Sequence, residues 1–384
     1  MNKPKKTILL VFAPTRQATS ETFVRANLSG LSMHCIAYFG DEWCLHRPLQ
    51  SLYATAIWCS KVLTQMRLLR AASCPAALVA WLLIRRYQPD AVLTEFGFEA
   101  VRVMEACAWC DVPMVVHFRG SDASAHSRLN LLRERYRRLI SISSGVIVKS
   151  QVMANTLLEL GALRKNILIS PSGANVNLFY GSDPAVASPV LLAVGRFVAK
   201  KGPSHTIRAF SIVCREIGDS EPHMTLLMVG DGPLLESSRA LVHELGLQDR
   251  IYLLGECSQE KVADLMRNVR CFVQHSVVAP DGDSEGCPVA VMEAQLSGLP
   301  VVATRHAGIP DVVVDGKSGF LVEEHDDVSM ARAMVRLILE PELSERMGSF
   351  GRRHILESFT IDHHLKQVSD LLHKVIQDRQ NHLN

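Results

Sequence analysis

The sequence has little that points to a membrane protein, a secreted scaffold or a repetitive fibre. Its longest apolar run, residues 75–84, is too short to cross a bilayer and is followed by two arginines. Seventeen prolines and 23 glycines follow no period, which excludes a collagen-like or low-complexity chain. The first apolar run covers only about six residues, shorter than the core of a secretory signal peptide. We therefore expect a soluble, cytoplasmic protein.

Cysteine is present without the dense pattern of a disulfide-bonded scaffold, although the chain has ten of them. Cys107 and Cys110 form a CxxC pair, but no second cysteine pair or histidine cluster accompanies it in the sequence. We interpret the pair as two cysteines on a packed helix. We predict no metal site and no cofactor.

Positive charge is concentrated in the first part of the chain. Up to Ile169 there are 21 basic and 11 acidic residues, a net charge of +10, whereas the remainder has 20 and 28, a net charge of −8. This asymmetry indicates that the two parts meet different partners. Aromatic residues are not interleaved with the basic ones, so nucleic acid is not a predicted partner.

Short apolar runs alternate with helical patterns, and the alternation occurs twice. Strands are predicted at 6–12, 91–94, 112–118 and 145–148, then at 190–194, 224–229, 251–254, 271–274, 301–303 and 319–322. Helices are predicted at 49–69, 74–87, 98–109 and 128–140, then at 203–216, 234–245, 260–267, 289–297 and 328–339. At about 100–200 residues per domain, this pattern predicts an α/β fold of two doubly wound, Rossmann-like domains.

A short stretch of Ser, Asp, Pro and Ala at residues 181–188 marks the predicted boundary between these domains. We predict an N-terminal domain at 1–180 and a C-terminal domain at 181–355. A final helix, within 356–384, is expected to pack back on the first domain.

The most informative segment contains the predicted helix 289–297. Pro288 suits the first turn of a helix, and Gly298 suits a left-handed residue that ends it. The loop before Pro288 therefore leads into a helix N-terminus, where backbone N–H groups and the helix dipole can hold a phosphate.

Two glutamates flank this helix start. Glu293 lies about 7.5 Å along the helix axis from Pro288, a distance that suits a carboxylate accepting hydrogen bonds from a ribose diol. Glu285, in the preceding loop, can accept hydrogen bonds from sugar hydroxyls. If the two glutamates are considered alone, the alternative interpretation is a capped helix with two carboxylates that are merely solvated.

Glycines and cations follow other predicted strands. Gly195, Gly230 and Gly232 leave backbone space at the carboxyl ends of strands, where open α/β sheets bind ligands. Arg196 and Lys201 can neutralise a departing diphosphate without a metal ion. No G-x-G-x-x-G follows the first strand, which argues against a nicotinamide-dependent dehydrogenase. Asp281-Gly282-Asp283 has the spacing of a metal-binding Asp-x-Asp but precedes the site loop.

Four motifs occur in this order: GRFVAKKG, VGDGP, an EGCP segment whose Glu285 is followed by Glu293 with seven residues between them, and AGIPD. Together they resemble glycosyltransferase family 4. The resemblance covers almost the whole chain and is most specific from Val190 to Val322. It implies the GT-B fold, with two domains facing a cleft, and retention of anomeric configuration. It further implies a UDP- or GDP-linked sugar bound mainly by the C-terminal domain and an acceptor bound by the N-terminal domain.

The same resemblance implies roles for individual residues. Arg196 and Lys201 contact the diphosphate, Glu293 binds the ribose, and Glu285 faces the transferred sugar. The remaining residues implied to bind the nucleotide sugar are Gly195, Gly230, Gly232, Gly286, Cys287, Pro288 and Val289.

The N-terminal half departs from the family pattern in two places. Its first loop, residues 14–23, ends in Ser-Glu-Thr-Phe and resembles the subgroup that builds bacterial exopolysaccharides such as colanic acid. In the segment His117-Phe118-Arg119-Gly120-Ser121-Asp122, Arg119 occupies the position of the family histidine, and His117 stands two residues earlier. Either residue could reach the transferred sugar, since alternation on a strand points both to one face.

Transfer of a hexose to a saccharide or lipid-linked saccharide is the predicted function. A sugar-nucleotide 2-epimerase of the same fold and a catalytically silent nucleotide-sugar-binding protein are the alternatives. A basic helix with an apolar face, at residues 128–140, indicates weak binding to an anionic membrane surface. The protein would then be peripheral at the inner face of the cell membrane, unless the apolar face packs on its own sheet.

Overall fold

A computed structural model describes residues 6–16, 22–44 and 46–383. The chain forms two compact units, the first running up to Pro171 and resuming at His364, and the second comprising Ser172–His363. Each unit is built on a six-stranded parallel sheet with helices. The fold class expected from the twofold alternation, two Rossmann-like α/β domains, is confirmed. The chain changes units at Pro171 and His364, whereas the sequence placed these changes near residues 180 and 356.

The first sheet has the strand order β2-β1-β3-β4-β5-β6. Its strands are β1 (Ile8–Ala13), β2 (His34–Phe39), β3 (Ala91–Glu95), β4 (Met114–His117), β5 (Gly145–Val148) and β6 (Ile167–Ile169). The helices are α1 (Thr22–Gly30), α2 (Pro48–Gln65), α3 (Leu69–Ala72), α4 (Cys74–Tyr87), α5 (Gly97–Trp109), α6 (Ser121–Ser124), α7 (His126–Ile142) and α8 (Gln151–Glu159). The central strands are covered on both faces, and for this reason they read as continuous apolar runs.

The second sheet has the strand order β12-β11-β10-β7-β8-β9. Its strands are β7 (Val190–Val194), β8 (Thr225–Val229), β9 (Ile251–Gly255), β10 (Cys271–Gln274), β11 (Val301–Thr304) and β12 (Gly319–Val322). Its helices are α9 (Pro203–Ile217), α10 (Leu235–Glu244), α11 (Gln259–Arg267), α12 (Val289–Ser297), α13 (Ile309–Val312), α14 (Asp327–Leu339) and α15 (Pro341–Ser358). Because all six strands are parallel, their carboxyl ends share one edge, and the loops leaving that edge carry the predicted site.

The last helix, α16 (Ile361–Leu383), belongs to the first unit from His364 onward. Val368, Leu372 and Val375 are buried on it and join Leu9, Val11 and other residues in an apolar cluster of that unit. Burial of such side chains, at roughly 25 cal/mol per Å², is what holds the helix on this sheet.

The apolar face predicted for the basic helix is part of the first unit's core. Leu132, Tyr136, Leu139 and Ile140 of α7 are buried among the core residues of this unit. These side chains are therefore not available to a membrane surface, and of the two alternatives for this apolar face the structure shows the one in which it packs within its own unit. Among the described residues, no helix is both long and apolar enough to span a membrane.

The ten cysteines are free thiols. Cys107 lies in the core of the first unit, and its burial raises the pKa of the thiol well above the ordinary value. The exopolysaccharide-like segment Ser-Glu-Thr-Phe begins at residues outside those described, and the side chains of Thr22 and Phe23 are likewise outside them.

Candidate functional site

Two neighbouring loops at the carboxyl edge of the second sheet touch each other through glycine. Gly195 follows β7 and Gly230 follows β8, and a Cβ at Gly230 would lie 2.0 Å from the carbonyl oxygen of Gly195. Gly230 also has a φ of 140°, and Gly232 has a φ of 152° with Phe197 O only 2.6 Å from where its Cβ would be. Any other residue at 230 or 232 would push these loops apart. The predicted glycines thus shape the edge of the sheet.

Lys201 and Glu285 form the centre of the predicted site. The Lys201 Nζ lies 3.2 Å from Glu285 Oε1, and the lysine stem passes over Gly195, where a Cβ would meet Lys201 Cδ and Cε at 3.2 Å. Glu285 is only 8% exposed, so it is held largely out of water. Burial raises its pKa, but the ammonium groups of Lys201 and Lys200 outweigh burial and hold the pKa below the ordinary value. Glu285 is therefore a carboxylate at neutral pH.

The neighbouring lysine has a different partner. Lys200 Nζ lies 3.0 Å from Asp283 Oδ2 and donates to the carbonyl oxygen of Ser284 at 3.2 Å. Asp283, in turn, donates its backbone N–H to Asp281 Oδ1 at 3.1 Å. The Asp281-Gly282-Asp283 segment is thus tied to Lys200 and positions the loop that ends at Glu285.

Helix α12 begins directly after this loop. Pro288 is its N-cap residue, one position before the first turn in which the sequence placed it, and Gly298 follows its last residue with a φ of 101°, as predicted. Gly286, Cys287 and Pro288 are buried, so the N-terminus of α12, with the free N–H groups of its first turn, is largely shielded from solvent.

Glu293 lies on the same helix and is 8% exposed. Burial raises its pKa to about 7, although Lys201 acts in the opposite direction. Glu293 is thus poised to change protonation state near neutral pH. A ligand that donates hydrogen bonds to its carboxylate would favour the charged form.

The sequence analysis missed a histidine that fixes the glutamate loop. Glu285 donates its backbone N–H to His306 Nε2 at 3.1 Å. Because that nitrogen accepts, His306 carries its proton on Nδ1, which lies 2.6 Å from Glu324 Oε1. Glu324 also accepts the backbone N–H of Val278 at 2.8 Å. The signal was available, since His306 lies two residues before Gly308 in the AGIPD motif.

Arg196 is exposed beside Gly195 at the end of β7. A small cavity of about 30 Å³ is lined by residues that include Gly195, Arg196, Lys201 and Gln274. Within the second unit, the structure therefore brings the two predicted cations and Gly195 to one cavity, and brings Glu285 to Lys201.

In the first unit, His117 and Arg119 meet at a buried glutamate. Glu95 ends β3 and His117 ends β4, and the two residues are paired across the sheet. His117 Nδ1 lies 3.3 Å from Glu95 Oε2, and Arg119 donates from Nε to the same oxygen at 2.8 Å. Asn27 donates to Glu95 Oε1 at 2.9 Å. Both predicted side chains do reach one place, around a carboxylate that the sequence analysis did not single out.

The charges of this group are set by burial and by each other. Burial raises the pKa of Glu95, but Arg119 and His117 outweigh it, so the pKa lies well below the ordinary value. Burial is also the main cause of the lowered pKa of His117, which is completely buried. The group therefore contains an ionised pair, Glu95 and Arg119, and a neutral imidazole.

Two further residues hold this group in position. Asp122 accepts the backbone N–H groups of Gly97, Arg119 and Gly120 at 2.8–2.9 Å, which fixes the turn after β4. His364, from α16, has its ring centroid 5.6 Å from that of His117, and its Nδ1 lies 2.7 Å from Ser170 Oγ.

Comparisons with known proteins agree with this architecture. Residues 182–354 match the family model described as glycosyl transferases group 1. The putative colanic acid biosynthesis glycosyltransferase WcaL of Escherichia coli is 32% identical over 219 residues, which cover 56% of this chain and 53% of that protein. The amylovoran biosynthesis glycosyltransferase AmsK of Erwinia amylovora is 30% identical over 225 residues, 58% of this chain and 54% of that protein. The chain thus spans about half the length of these curated relatives.

Solved structures match nearly the whole chain. HepE of Anabaena, crystallised in complex with UDP, gives a TM-score of 0.73 at 17% identity and covers 96% of this chain and 100% of its own. Sucrose-phosphate synthase of Thermosynechococcus elongatus gives 0.74 at 16% identity, with 97% and 100% covered. At this identity, the likeness establishes the fold. The chain therefore has the two-unit GT-B fold, and residues 182–354 of its second unit match the group 1 glycosyltransferase family model.

Proposed function

We propose that this protein is a retaining glycosyltransferase that moves a hexose from a nucleotide-diphosphate sugar to a saccharide or lipid-linked saccharide, in exopolysaccharide or related glycan biosynthesis. The observation that carries the proposal is the ion pair between Lys201 and Glu285, which lies in the loop before α12, together with Glu293, which is buried on α12. A cation, a helix N-terminus and two carboxylates are the groups that a diphosphate, a ribose and a sugar require.

The nucleotide sugar would bind the second unit. Its diphosphate would lie against Arg196, Lys201 and the first turn of α12, while its ribose would donate hydrogen bonds to Glu293. Gly195, Gly230 and Gly232 would allow the close approach of the backbone to the nucleotide. The UDP in the HepE complex supports a UDP-linked sugar, and GDP-linked sugars remain in the same class.

The reaction would proceed on one face of the sugar. The bond between C1 and the diphosphate oxygen breaks, the acceptor oxygen forms its bond to C1 on the same face, and the acceptor proton passes to an oxygen of the leaving diphosphate. Arg196 and Lys201 would stabilise the negative charge that develops on the diphosphate. This arrangement needs no metal ion.

Contact with the transferred sugar stays a prediction for His117 and Arg119, whose side chains are buried around Glu95 in the first unit. Glu95 orients both side chains, because it accepts from Arg119 and lies beside the His117 ring. We assign acceptor binding to this unit as well. The basic side chains of Arg133, Arg137 and Arg138 on α7 are exposed and could contact an anionic membrane surface that carries a lipid-linked acceptor.

A panel of UDP- and GDP-sugars, with release of nucleotide diphosphate as the measurement, tests the proposed function. We expect slow hydrolysis of one class of nucleotide sugar without an acceptor. A catalytically silent protein would bind a nucleotide sugar without releasing the diphosphate. A 2-epimerase would convert the sugar nucleotide, with hydrolysis only as a side reaction.

Turnover should persist in excess EDTA, because cationic side chains and a helix N-terminus take the role that a metal ion has in other transferases. The measurement is the initial rate of diphosphate release with and without the chelator. Loss of the rate in EDTA and its recovery with Mn²⁺ or Mg²⁺ would contradict metal independence. Asp281 and Asp283 would then be the candidate metal ligands.

Glu293 should make nucleotide binding depend on pH in a particular direction. Its pKa of about 7 means that binding to ribose hydroxyls strengthens as the pH rises from 6 to 8, because only the carboxylate accepts fully from both hydroxyls. Glu293→Gln should weaken binding of the nucleotide diphosphate at pH 8 by roughly 10-fold to 100-fold, equivalent to about 1.5–3 kcal/mol.

The ratio of the two dissociation constants is the critical measurement, since the ligand phosphates titrate equally for both proteins. We expect the ratio of variant to wild type to grow between pH 6 and 8. Glu236→Gln, at an exposed glutamate of α10, is the matched control and should give a ratio near one at every pH. A constant ratio for Glu293→Gln would remove Glu293 from the ribose site.

A further inference from the structure

Three histidines and an aspartate cluster on the second unit, and the proposed transfer reaction uses none of them. His205 lies in the first turn of α9, His275 follows β10, and His325 and Asp327 lie at the start of α14. The His205 and His275 rings stack with centroids 4.8 Å apart, and the His205 and His325 rings meet edge to face at 4.9 Å. Four residues from distant parts of the sequence thus share one small volume.

Hydrogen bonding fixes which nitrogen of His205 carries the proton. Nδ1 of His205 lies 2.8 Å from Asp327 Oδ1, and an ionised carboxylate can only accept. His205 therefore has its proton on Nδ1 and a lone pair on Nε2. That Nε2 lies 3.1 Å from Nδ1 of His325.

His275 holds His325 in position. His325 donates its backbone N–H to His275 Nε2 at 2.9 Å, and it has a φ of 66°, in the left-handed region that costs energy for a residue with a side chain. His275 is completely buried, and its Nδ1, which must carry the proton, lies 3.0 Å from Met330 Sδ. A buried residue thus stabilises a backbone conformation that turns the exposed His325 toward His205.

We propose that His205 Nε2 and His325 Nδ1 together bind one divalent transition-metal ion of the Zn²⁺ type. Asp327 would not touch the ion but would accept the hydrogen bond from His205 Nδ1. Two nitrogens 3.1 Å apart can both lie at the Zn–N distance of about 2.0–2.1 Å from one ion. A metal-bound histidine ordinarily donates its other ring N–H to a carboxylate, which is what His205 does to Asp327.

Binding requires that His325 keep its proton on Nε2 instead of Nδ1 and that the two rings turn so that both lone pairs point at the ion, which lies off the line between the nitrogens. This change is available because the His325 side chain is exposed, so Nε2–H can bond to water. Water would complete the coordination. The possible ligand atoms of His205, His275 and Asp327 also lie within 4.8 Å of one another, but Nε2 of His275 accepts a backbone N–H and its Nδ1 carries the proton. His275 is therefore a support for the site and not a ligand.

Imidazole nitrogens favour Zn²⁺, Ni²⁺ and Cu²⁺ over Mg²⁺ and Mn²⁺, which prefer oxygen ligands. The proposed ion is thus chemically distinct from the metals that assist other nucleotide-sugar enzymes. The site does not depend on the transfer reaction, so its test needs no nucleotide sugar.

Calorimetric titration of the tag-free full chain with ZnCl₂, in buffer containing excess Mg²⁺, tests the proposal. We expect one Zn²⁺ per chain. His205→Gln retains a donor for Asp327 but has no ring nitrogen for the metal, and His325→Asn suits the left-handed backbone, so each should remove the binding event. Asp327→Asn should weaken it by roughly 10-fold to 100-fold.

His243→Gln, at an exposed histidine of α10, is the matched control and should leave binding unchanged. Thermal unfolding of each variant without metal verifies that the fold is retained, and Co²⁺ absorption in the visible range gives a second measure of nitrogen coordination. Absence of Zn²⁺ binding by the folded wild type, or equal binding by His205→Gln and His325→Asn, would overturn the proposal. Neither result would bear on the release of nucleotide diphosphate.

Discussion

Lys201→Met should lower the turnover number for the nucleotide sugar by about 10²-fold to 10³-fold, the loss typical when one group that stabilises developing negative charge is removed. The Lys201 ammonium lies in the buried site, 3.2 Å from Glu285, where water screens it poorly. Methionine keeps an unbranched stem over Gly195 but has no charge. Because charge on the diphosphate grows as the sugar bond breaks, the turnover number should fall more than the affinity for the nucleotide sugar.

Lys200→Met and Lys261→Met are the matched controls. Lys200 is adjacent in sequence, but its ammonium binds Asp283 and the Ser284 carbonyl, so its loss should affect turnover less. Lys261 is an exposed lysine of α11 that pairs with Asp264, and its replacement should have no measurable effect on turnover. If Lys200→Met lost the rate and Lys201→Met retained it, the diphosphate site would lie around the wrong lysine.

Glu95→Gln should reduce the free energy of unfolding of the first unit by about 3–5 kcal/mol, the usual result of removing one partner from a buried ion pair. Arg119 would retain its charge without a carboxylate, and its side chain is only 3% exposed. All four tryptophans, at positions 43, 58, 81 and 109, lie in the first unit, so tryptophan fluorescence during urea unfolding follows that unit alone.

The effect of Glu95 should also depend on pH. Its pKa in the folded protein lies below the unfolded value, so its stabilising contribution is complete above the ordinary carboxylate range and is lost only as the pH falls toward the depressed value. The stability difference between wild type and Glu95→Gln should therefore be constant near neutrality and shrink in acid.

Two comparisons make this result specific to the buried pair. Glu134→Gln, at an exposed glutamate of α7, should change stability by less than about 1 kcal/mol. The double variant Glu95→Gln with Arg119→Met should lose less than the sum of the single losses, because each single variant already breaks the same pair. A loss for Glu95→Gln as small as that for Glu134→Gln would mean that the pair is solvated.

The sequence was sufficient to predict the bounds of those helices and strands whose ends are set by residues next to them in the chain. The bounds of α12 follow from Pro288 and Gly298, and the strands β7, β10 and β12 have the predicted ends. By contrast, β2 was not predicted, although residues 35–39 form a short apolar run, and much of this strand is only partly buried. Helix α15 was also missed.

The sequence by itself determined the α/β class, the glycine-bearing strand ends and the identity of the Lys201, Glu285 and Glu293 candidates, since each depends on residues close together in the chain. Only the tertiary structure decided which charges meet. Glu95 reaches Arg119 because β3 and β4 pair in parallel, and His205 reaches His325 across 120 residues. Such contacts depend on which strands are neighbours in the sheet and on which helices pack side by side. The periodicity and spacing within one segment do not encode them.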